Sequence, residues 1–487
     1  MNLKRILIVF SAWLVSGSFT GHPIRDYNPD AWIEDFTQLK QALSAHYSNL
    51  EWAIENRKLD LKQLSDHTVT QLTKATTDAE AKKIIESFLN AFGDGHLFVQ
   101  WPQKETTGSP SSETTPVIPP SLCERLRFSA QNQASRIDPL LIDNYTEIKN
   151  DDSKYFSIGV LRPPTKNNIG ILRIPLFSEY AFPDLCELVT AEMKLSKEAS
   201  CDEDCEDRVG RKAADLLTAA LARQINVLKQ SGITTLVVDI TGNGGGTNWA
   251  EPAARTLTTK ALKTPRQQFI RHPHWTKQFE RRLDIIKADK KNQKVGNDEG
   301  LQQAENILRM ALSESQKPCD RSGLWKNRKP DCSLVVQRPV LYPQSVQAYS
   351  KPGSLPEAAS SQFIFFPSRY AYKEGVYSGK LIVLVDRNTW SSAEYFAAML
   401  RDNDAAILMG EPTGGAGCGY TNGGIPTVLK NSKAKVKVPD CVRLRADGSN
   451  EVAGITPDVL VPWRPNDNKF QRTKRVAEAL IHYSRTK

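Results

Sequence analysis

Trp32, Phe36, Leu39, Leu43 and Tyr47 recur at the three-to-four-residue spacing that lines one face of a helix, and Ile84, Ile85, Phe88 and Phe92 do the same. The spacing predicts a small helical domain over residues 26–96. From Ile169 the pattern changes. Short apolar runs, Ile169–Ile174, Thr234–Ile240 and Leu381–Val385, alternate with helical periodicity near 211–230 and again at Phe396, Met399 and Leu400. Strands alternating with helices predict an α/β core with a parallel sheet, placed at residues 168–470. Residues 263–345 interrupt it as a polar, basic insertion with one expected helix, Leu301–Leu312. That insertion is either a cover on the core or a surface elaboration. Between the two domains, residues 97–167 read as a linker or small region: 102–120 is rich in Ser, Thr and Pro, and Phe156–Leu161 is at best a strand.

A chain of 487 residues, 40% hydrophobic and 24% charged, is long enough for one large core and a smaller domain. Met1–Gly21 differs from the rest. Lys4 and Arg5 precede an apolar run, Ile6–Val15, and then small residues, the layout of a secretory signal and too short to span a bilayer. Export suits the eight cysteines, an even number that favours disulfides. Cys319 and Cys332 flank one polar loop, and Cys418 and Cys441 bracket a hairpin-like stretch, so each is expected to pair. Cys201 and Cys205 sit among acids with no histidine near, which argues against a metal; they are expected to bond elsewhere, to Cys123 or Cys186. The net charge of +9 concentrates in Arg266–Lys294 and Arg321–Lys329. A solvated surface explains this, and no zinc finger or RNA-recognition signature points to nucleic acid.

The chemistry gathers around Asn388-Thr389-Trp390-Ser391-Ser392-Ala393-Glu394 and Gly410-Glu411-Pro412-Thr413-Gly414-Gly415-Ala416-Gly417. Ser391 follows an expected strand and opens an expected helix, where unpaired N–H groups and the helix dipole favour an oxyanion. The same Ser-x-x-Glu pattern is also a capping box with no chemistry. Gly242–Gly246 lacks the Gly-Lys-Ser/Thr ending of a phosphate loop and misses the dinucleotide spacing. A loop bare of Cβ atoms instead lets a backbone N–H approach a carbonyl.

In chain order, Gly93-Asp94-Gly95-His96, the Leu236–Gly246 strand and loop, the Thr-x-Ser-Ser-Ala-Glu turn with the Gly-Glu-Pro-Thr-Gly-Gly loop, and Ala453-Gly454-Ile455-Thr456-Pro457-Asp458 resemble the S41 peptidase family. That family contains the tail-specific processing proteases, the tricorn protease core and the interphotoreceptor retinoid-binding proteins. The resemblance implies a core like that of the crotonase and Clp-protease group, and a serine nucleophile three residues before the glutamate, which selects Ser391 over Ser392. The lysine that activates the serine in processing proteases is missing: its slot holds Ala416. Resemblance to the tricorn-like members supplies His96 as the base instead, although Gly95 stands where they have serine. It makes Glu451 the acid that orients His96, with Asp447 as runner-up and a solvent-facing loop carboxylate as the plain alternative for Glu451. Gly245 or Gly246, with the N–H of Ser392, would form the oxyanion hole. No PDZ signal is present in 97–167. The implied protein is an exported serine peptidase acting on peptides or proteins through an acyl-enzyme, with no metal or organic cofactor. The alternatives are an inactive ligand-binding relative and an esterase.

Overall fold

The computed structural model describes residues 27–102, 120–164, 167–293, 295, 298–348, 355, 357–365, 370–372 and 375–485. The signal-like segment Met1–Gly21 and most of the 102–120 stretch lie outside these residues.

The N-terminal domain is built from four helices, Pro29–His46, Leu50–Arg57, Leu61–Lys74 and Asp78–Asn90. Three of them start on side chains that accept orphan N–H groups: Asn28, Asp60 and Thr77. Trp32, Phe36, Leu39, Leu43, Tyr47, Phe88 and Phe92 are buried together, with Phe36 and Phe88 edge to face at 4.8 Å. The apolar stripes therefore form the core that their spacing predicts.

The α/β core is organised on a seven-stranded sheet in the order Val459–Leu460, Ile407–Gly410, Lys380–Val385, Thr235–Asp239, Ile169–Arg173, Ile158–Leu161, Tyr145–Ile148. The first five strands run parallel and the last two antiparallel. Leu236 and Val238 face the helices Glu203–Gln230 and Ser392–Asp402, while Val237 and Ile382 face the terminal helix Lys469–Arg485. Burial on both faces is why these strands read as unbroken apolar runs rather than as an alternation.

The sheet reaches back ahead of residue 168. Ile158–Leu161, within the run read as at best a strand, pairs with Ile169–Arg173 and with Tyr145–Ile148, inside the stretch expected as a linker or small region. Gly159 weakens the strand signal there, and the packing explains it: a Cβ at Gly159 would fall 2.4 Å from the Tyr145 ring.

Among the described residues the insertion carries two α-helices, not one: Pro273–Asp289 packs against Glu299–Ser315. The first escapes the periodicity because charged residues crowd a thin apolar stripe of Trp275, Phe279 and Ile286. Its core continues into Cys418 and Cys441, and its strand Arg266–Phe269 pairs antiparallel with Cys441–Leu444. Farther on, the buried Arg321 guanidinium reaches into the helical domain and donates to the carbonyls of Ser44 and Tyr47 at 2.9 and 3.1 Å. The insertion thus ties the helical domain to the core.

Cys319–Cys332 and Cys418–Cys441 pair as expected. The expectation for the other four is corrected. Cys201 bonds Cys205 across the first turn of the Glu203–Gln230 helix, and Cys123 bonds Cys186. A cysteine three residues into a helix and one just before its cap lie close enough to bond each other, which spacing among acids did not reveal.

Arg321 is the sharpest test of this tie, because its loss strands carbonyls at the end of the Pro29–His46 helix. Arg321→Met is expected to lower stability by about 2–4 kcal/mol in chemical denaturation, from unmet acceptors and a lost charge at the helix end.

Candidate active site

Ser391 caps the Ser392–Asp402 helix with φ 58° and ψ −120°, a conformation that L-residues resist. The surroundings hold it there. Its N–H lies 3.1 Å from both the Ala416 carbonyl and Glu394 Oε2, and its carbonyl accepts from Arg443 Nη2 at 3.1 Å. Ser391 Oγ sits 3.0 Å from His96 Nε2.

His96 comes from the other end of the molecule. Its N–H donates to Asp94 Oδ1 at 3.0 Å, while Asp94 Oδ2 accepts from Asn49 Nδ2 at 2.9 Å and Tyr47 Oη at 3.1 Å. Asp94 is therefore a buried tether between the helical domain and the His96 loop. Tyr420 Oη donates to the His96 carbonyl, and the Tyr420 ring lies edge-on to the imidazole at 5.5 Å. Gly95 N–H donates to the Gly415 carbonyl at 3.3 Å, and a Cβ on Gly95 would lie 2.9 Å from Ala416 Cβ. Ala416 thus occupies space that a side chain at position 95 would need.

Burial, with Arg443 nearby, pushes His96 down to about 4. At neutral pH the ring is uncharged and able to accept a proton. Acceptance at Nε2 requires the tautomer that carries its hydrogen on Nδ1, and Nδ1 has no hydrogen-bond partner among the described residues.

Glu451 is buried but does not meet His96. Its carboxylate is paired with Arg443, from Nε at 2.7 Å and from Nη2. The expected direct contact is replaced by a relay: Glu451 holds Arg443, and Arg443 holds the Ser391 carbonyl. Asp447 is solvent-facing and bonds Ser449. Ser392 Oγ donates to the Gly246 carbonyl at 3.2 Å, away from His96.

The glycine loop lies against the serine turn. A Cβ on Gly245 would come within 2.8 Å of Ser391 Cβ and Ser392 N, and one on Gly246 within 2.2 Å of the Phe177 carbonyl oxygen. Gly245 donates its N–H to Asn243 Oδ1 at 2.9 Å, so that hydrogen is already engaged. Gly246 and Ser392 have no backbone N–H acceptor among the described residues, and both line the cleft with Ser391. Of the glycines proposed from sequence, Gly246 is the free donor.

Sequence reasoning missed Arg443, Asp94 and the reach of Glu394. Glu394 does more than serve a capping box: it accepts from Thr413 Oγ1 at 2.6 Å and from the N–H groups of Gly415 and Ala416 at 2.9 and 2.7 Å. Burial and the nearby Glu451 push Glu394 up to about 7. A fully buried carboxylate at this position organises the Gly-Glu-Pro-Thr-Gly-Gly loop. The cleft over these groups encloses about 770 Å³, walled by the helical domain at His96, by the core, and by the insertion at Gln267 and Gln344.

The model of peptidase family S41 matches residues 168–461, more than half of the chain. The chain belongs to peptidase family S41. Among solved structures, mature CPAF complexed with lactacystin superposes with TM-score 0.57 at 14% identity, covering 93% of this chain and 97% of that one. Mature CPAF alone gives 0.55 at 14%, covering 93% and 96%. At this identity the likeness concerns the fold: an α/β core with helices ahead of it. An uncharacterised protein of Chlamydia muridarum is 30% identical over 95 residues, and a protein of Chlamydia trachomatis 28% over 96. Each match covers 20% of this chain and 16% of the relative, so the chain matches about a sixth of the length of these curated relatives. The S41 match starts after His96, so the helical domain and the histidine it positions lie outside the matched segment.

Gly419 offers a test of the His96 placement, since a Cβ there would lie 3.1 Å from Nε2. Gly419→Ala is expected to displace the ring by a few tenths of an ångström and lower kcat by about 10–100-fold with the fold intact. Full activity in that variant would mean that the ring position is not critical.

Proposed function

We propose that this S41 protein is an exported serine peptidase, with Ser391 as nucleophile and His96 as base and then acid. The observation that carries the reading is the 3.0 Å approach of His96 Nε2 to Ser391 Oγ. Ser391 Oγ attacks the peptide carbonyl carbon as its proton passes to His96 Nε2. The oxyanion that forms accepts from the N–H groups of Gly246 and Ser392. His96 gives the proton to the leaving amine, and the C–N bond breaks to leave an ester on Ser391. A water then loses a proton to His96 and attacks the ester, and the proton returns to Ser391 Oγ. Glu451 serves by neutralising Arg443, whose bare charge would oppose the imidazolium. Gly245 lets the loop approach the serine.

The buried Ala416 supports the histidine assignment, because no ammonium group stands in that slot. Export accords with four disulfides and with the signal-like start of the chain. Among the described residues no helix is long and apolar enough to cross a membrane.

Ser391→Ala and His96→Ala are each expected to lower hydrolysis of a casein-derived peptide mixture by about 10³-fold or more, with unchanged melting temperature, while Ser392→Ala keeps most of the activity. Retained hydrolysis in the first two would refute the assignment. A separate titration checks the electrostatics. In histidine-labelled Ser391→Ala protein, the His96 resonance should stay that of a neutral ring from pH 8 down to 5, charging only as the pH falls toward 4. Titration near the ordinary value of about 6.5 would show that the ring is solvated.

A further inference from the structure

Beside the catalytic cleft lies a second recess of about 400 Å³, built mainly on one face of the Pro273–Asp289 helix. Its charged lining is wholly cationic apart from the histidine: Lys277, Arg281 and Arg282 contribute, and no aspartate or glutamate lines it among the described residues. The two cavities share a wall. Gln344 lines both, and within the Thr421–Gly423 turn Thr421 and Gly423 face the cleft while Asn422 faces the recess.

The three cations differ in their partners. Arg281 is exposed and pairs with the exposed Glu203 at 3.1 Å, an interaction that solvent weakens. Lys277 is exposed without an ion-pair partner among the described residues. Arg282 is half-buried over the Phe363 ring, 5.5 Å from its centroid, and among the described residues its hydrogen bond goes to the Gln344 carbonyl at a long 3.4 Å. Burial and Arg281 bring Arg282 down to about 10, so it keeps its charge at neutral pH. A partly desolvated guanidinium with one weak acceptor among the described residues has donors of its planar fork to offer a carboxylate. His274, at the rim, is already engaged by Asp440 at 3.3 Å and by the Thr421 carbonyl at 2.8 Å. The amides of Gln278 and Asn422 bond each other at 2.9 Å and edge the recess with neutral polar groups.

We propose that this recess is a carboxylate subsite beside the catalytic cleft, taking an acidic side chain of a bound peptide a few residues from the cleaved bond. The inference rests on the reading of Ser391 and His96 as a peptidase site. The recess adjoins the cleft that holds Ser391 and His96, with Gln344 in the lining of both. A net charge of +9 adds a long-range pull on acidic chains. It also gives the basic stretch within Arg266–Lys294 a role beyond solubility.

Two measurements test the proposal. A proteome-derived peptide library, split into amidated and free C-termini, is digested with wild-type protein and the cut sites are read by mass spectrometry. Glutamate and aspartate should be enriched at one fixed register in both halves of the library, and Arg282→Gln should flatten the enrichment. Lys277→Gln, a change on the exposed face, should weaken it in the same direction and guards against misfolding of the first variant. The absence of an acidic register, or one unchanged in both variants, overturns the proposal. The second measurement uses the uncleaving Ser391→Ala protein and fluorescence anisotropy. A labelled, amidated peptide with three glutamates should bind about tenfold tighter than its glutamine counterpart, an advantage lost with Arg282→Gln and at high salt. Equal binding of the two peptides also overturns it. Glutamate-dependent binding without any cleavage by the wild type would sink the peptidase reading and leave the subsite standing. Cleavage without acidic preference would sink the subsite alone.

Discussion

Ser391 and His96 stand 295 residues apart in the chain and 3.0 Å apart in the fold, and the contact exists because the serine is held in a backbone conformation it would not choose. A serine at the start of a helix ordinarily turns its hydroxyl inward to cap the first turn. Here Ser391 stands at φ 58°, and its hydroxyl meets His96 Nε2 in the cleft. Conformations of this kind cost on the order of 1–3 kcal/mol and persist only where neighbours over-determine them. Here the neighbours are Ala416, Glu394 and Arg443, each bonded to the serine backbone.

Buried charge does much of this holding. Arg443 and Glu451 face each other out of water, and Arg443 also lies over the Tyr395 ring at 4.7 Å. Such a pair adds little net stability against an apolar replacement, but removing one partner typically costs about 3–5 kcal/mol because the other is stranded. Its value is positional: it fixes a guanidinium against the Ser391 carbonyl. Asp94 acts in the same way on the opposite side, where the helical domain grips the histidine loop. The Ser391–His96 contact is therefore assembled from two units, and the insertion that welds them through Arg321 belongs to the same construction.

What the sequence made legible follows the range of the interactions involved. Helical stripes such as Trp32, Phe36 and Leu39, and buried runs such as Leu381–Val385, are local patterns that read directly as elements. The strand Ile158–Leu161 was obscured by a glycine whose reason is a ring on the next strand, and the Pro273–Asp289 helix by a charged face now seen beside the cleft. Ser391, His96 and the glycine loop were reached through the order of their motifs, since no spacing within the chain tells a histidine at 96 that its partner is at 391. Glu451 was found as a residue while its partner was not: the Arg443–Glu451 pair, like the bonds from Glu394 to Thr413 and Ala416, depends on how the loops close in space. The cysteines divide likewise. Loops spanned by Cys319–Cys332 and Cys418–Cys441 announce themselves, whereas Cys123–Cys186 joins elements that only the packed core brings together.

Covalent capture tests the central claim most directly. A fluorophosphonate carries its own electrophilic phosphorus and needs an activated serine, but no knowledge of the natural substrate. Intact-mass and peptide mapping of the treated protein should show one phosphonyl group on Ser391, with labelling slowed by about 10²-fold or more in His96→Ala. No adduct on Ser391, or equal labelling with and without the imidazole, would contradict the account.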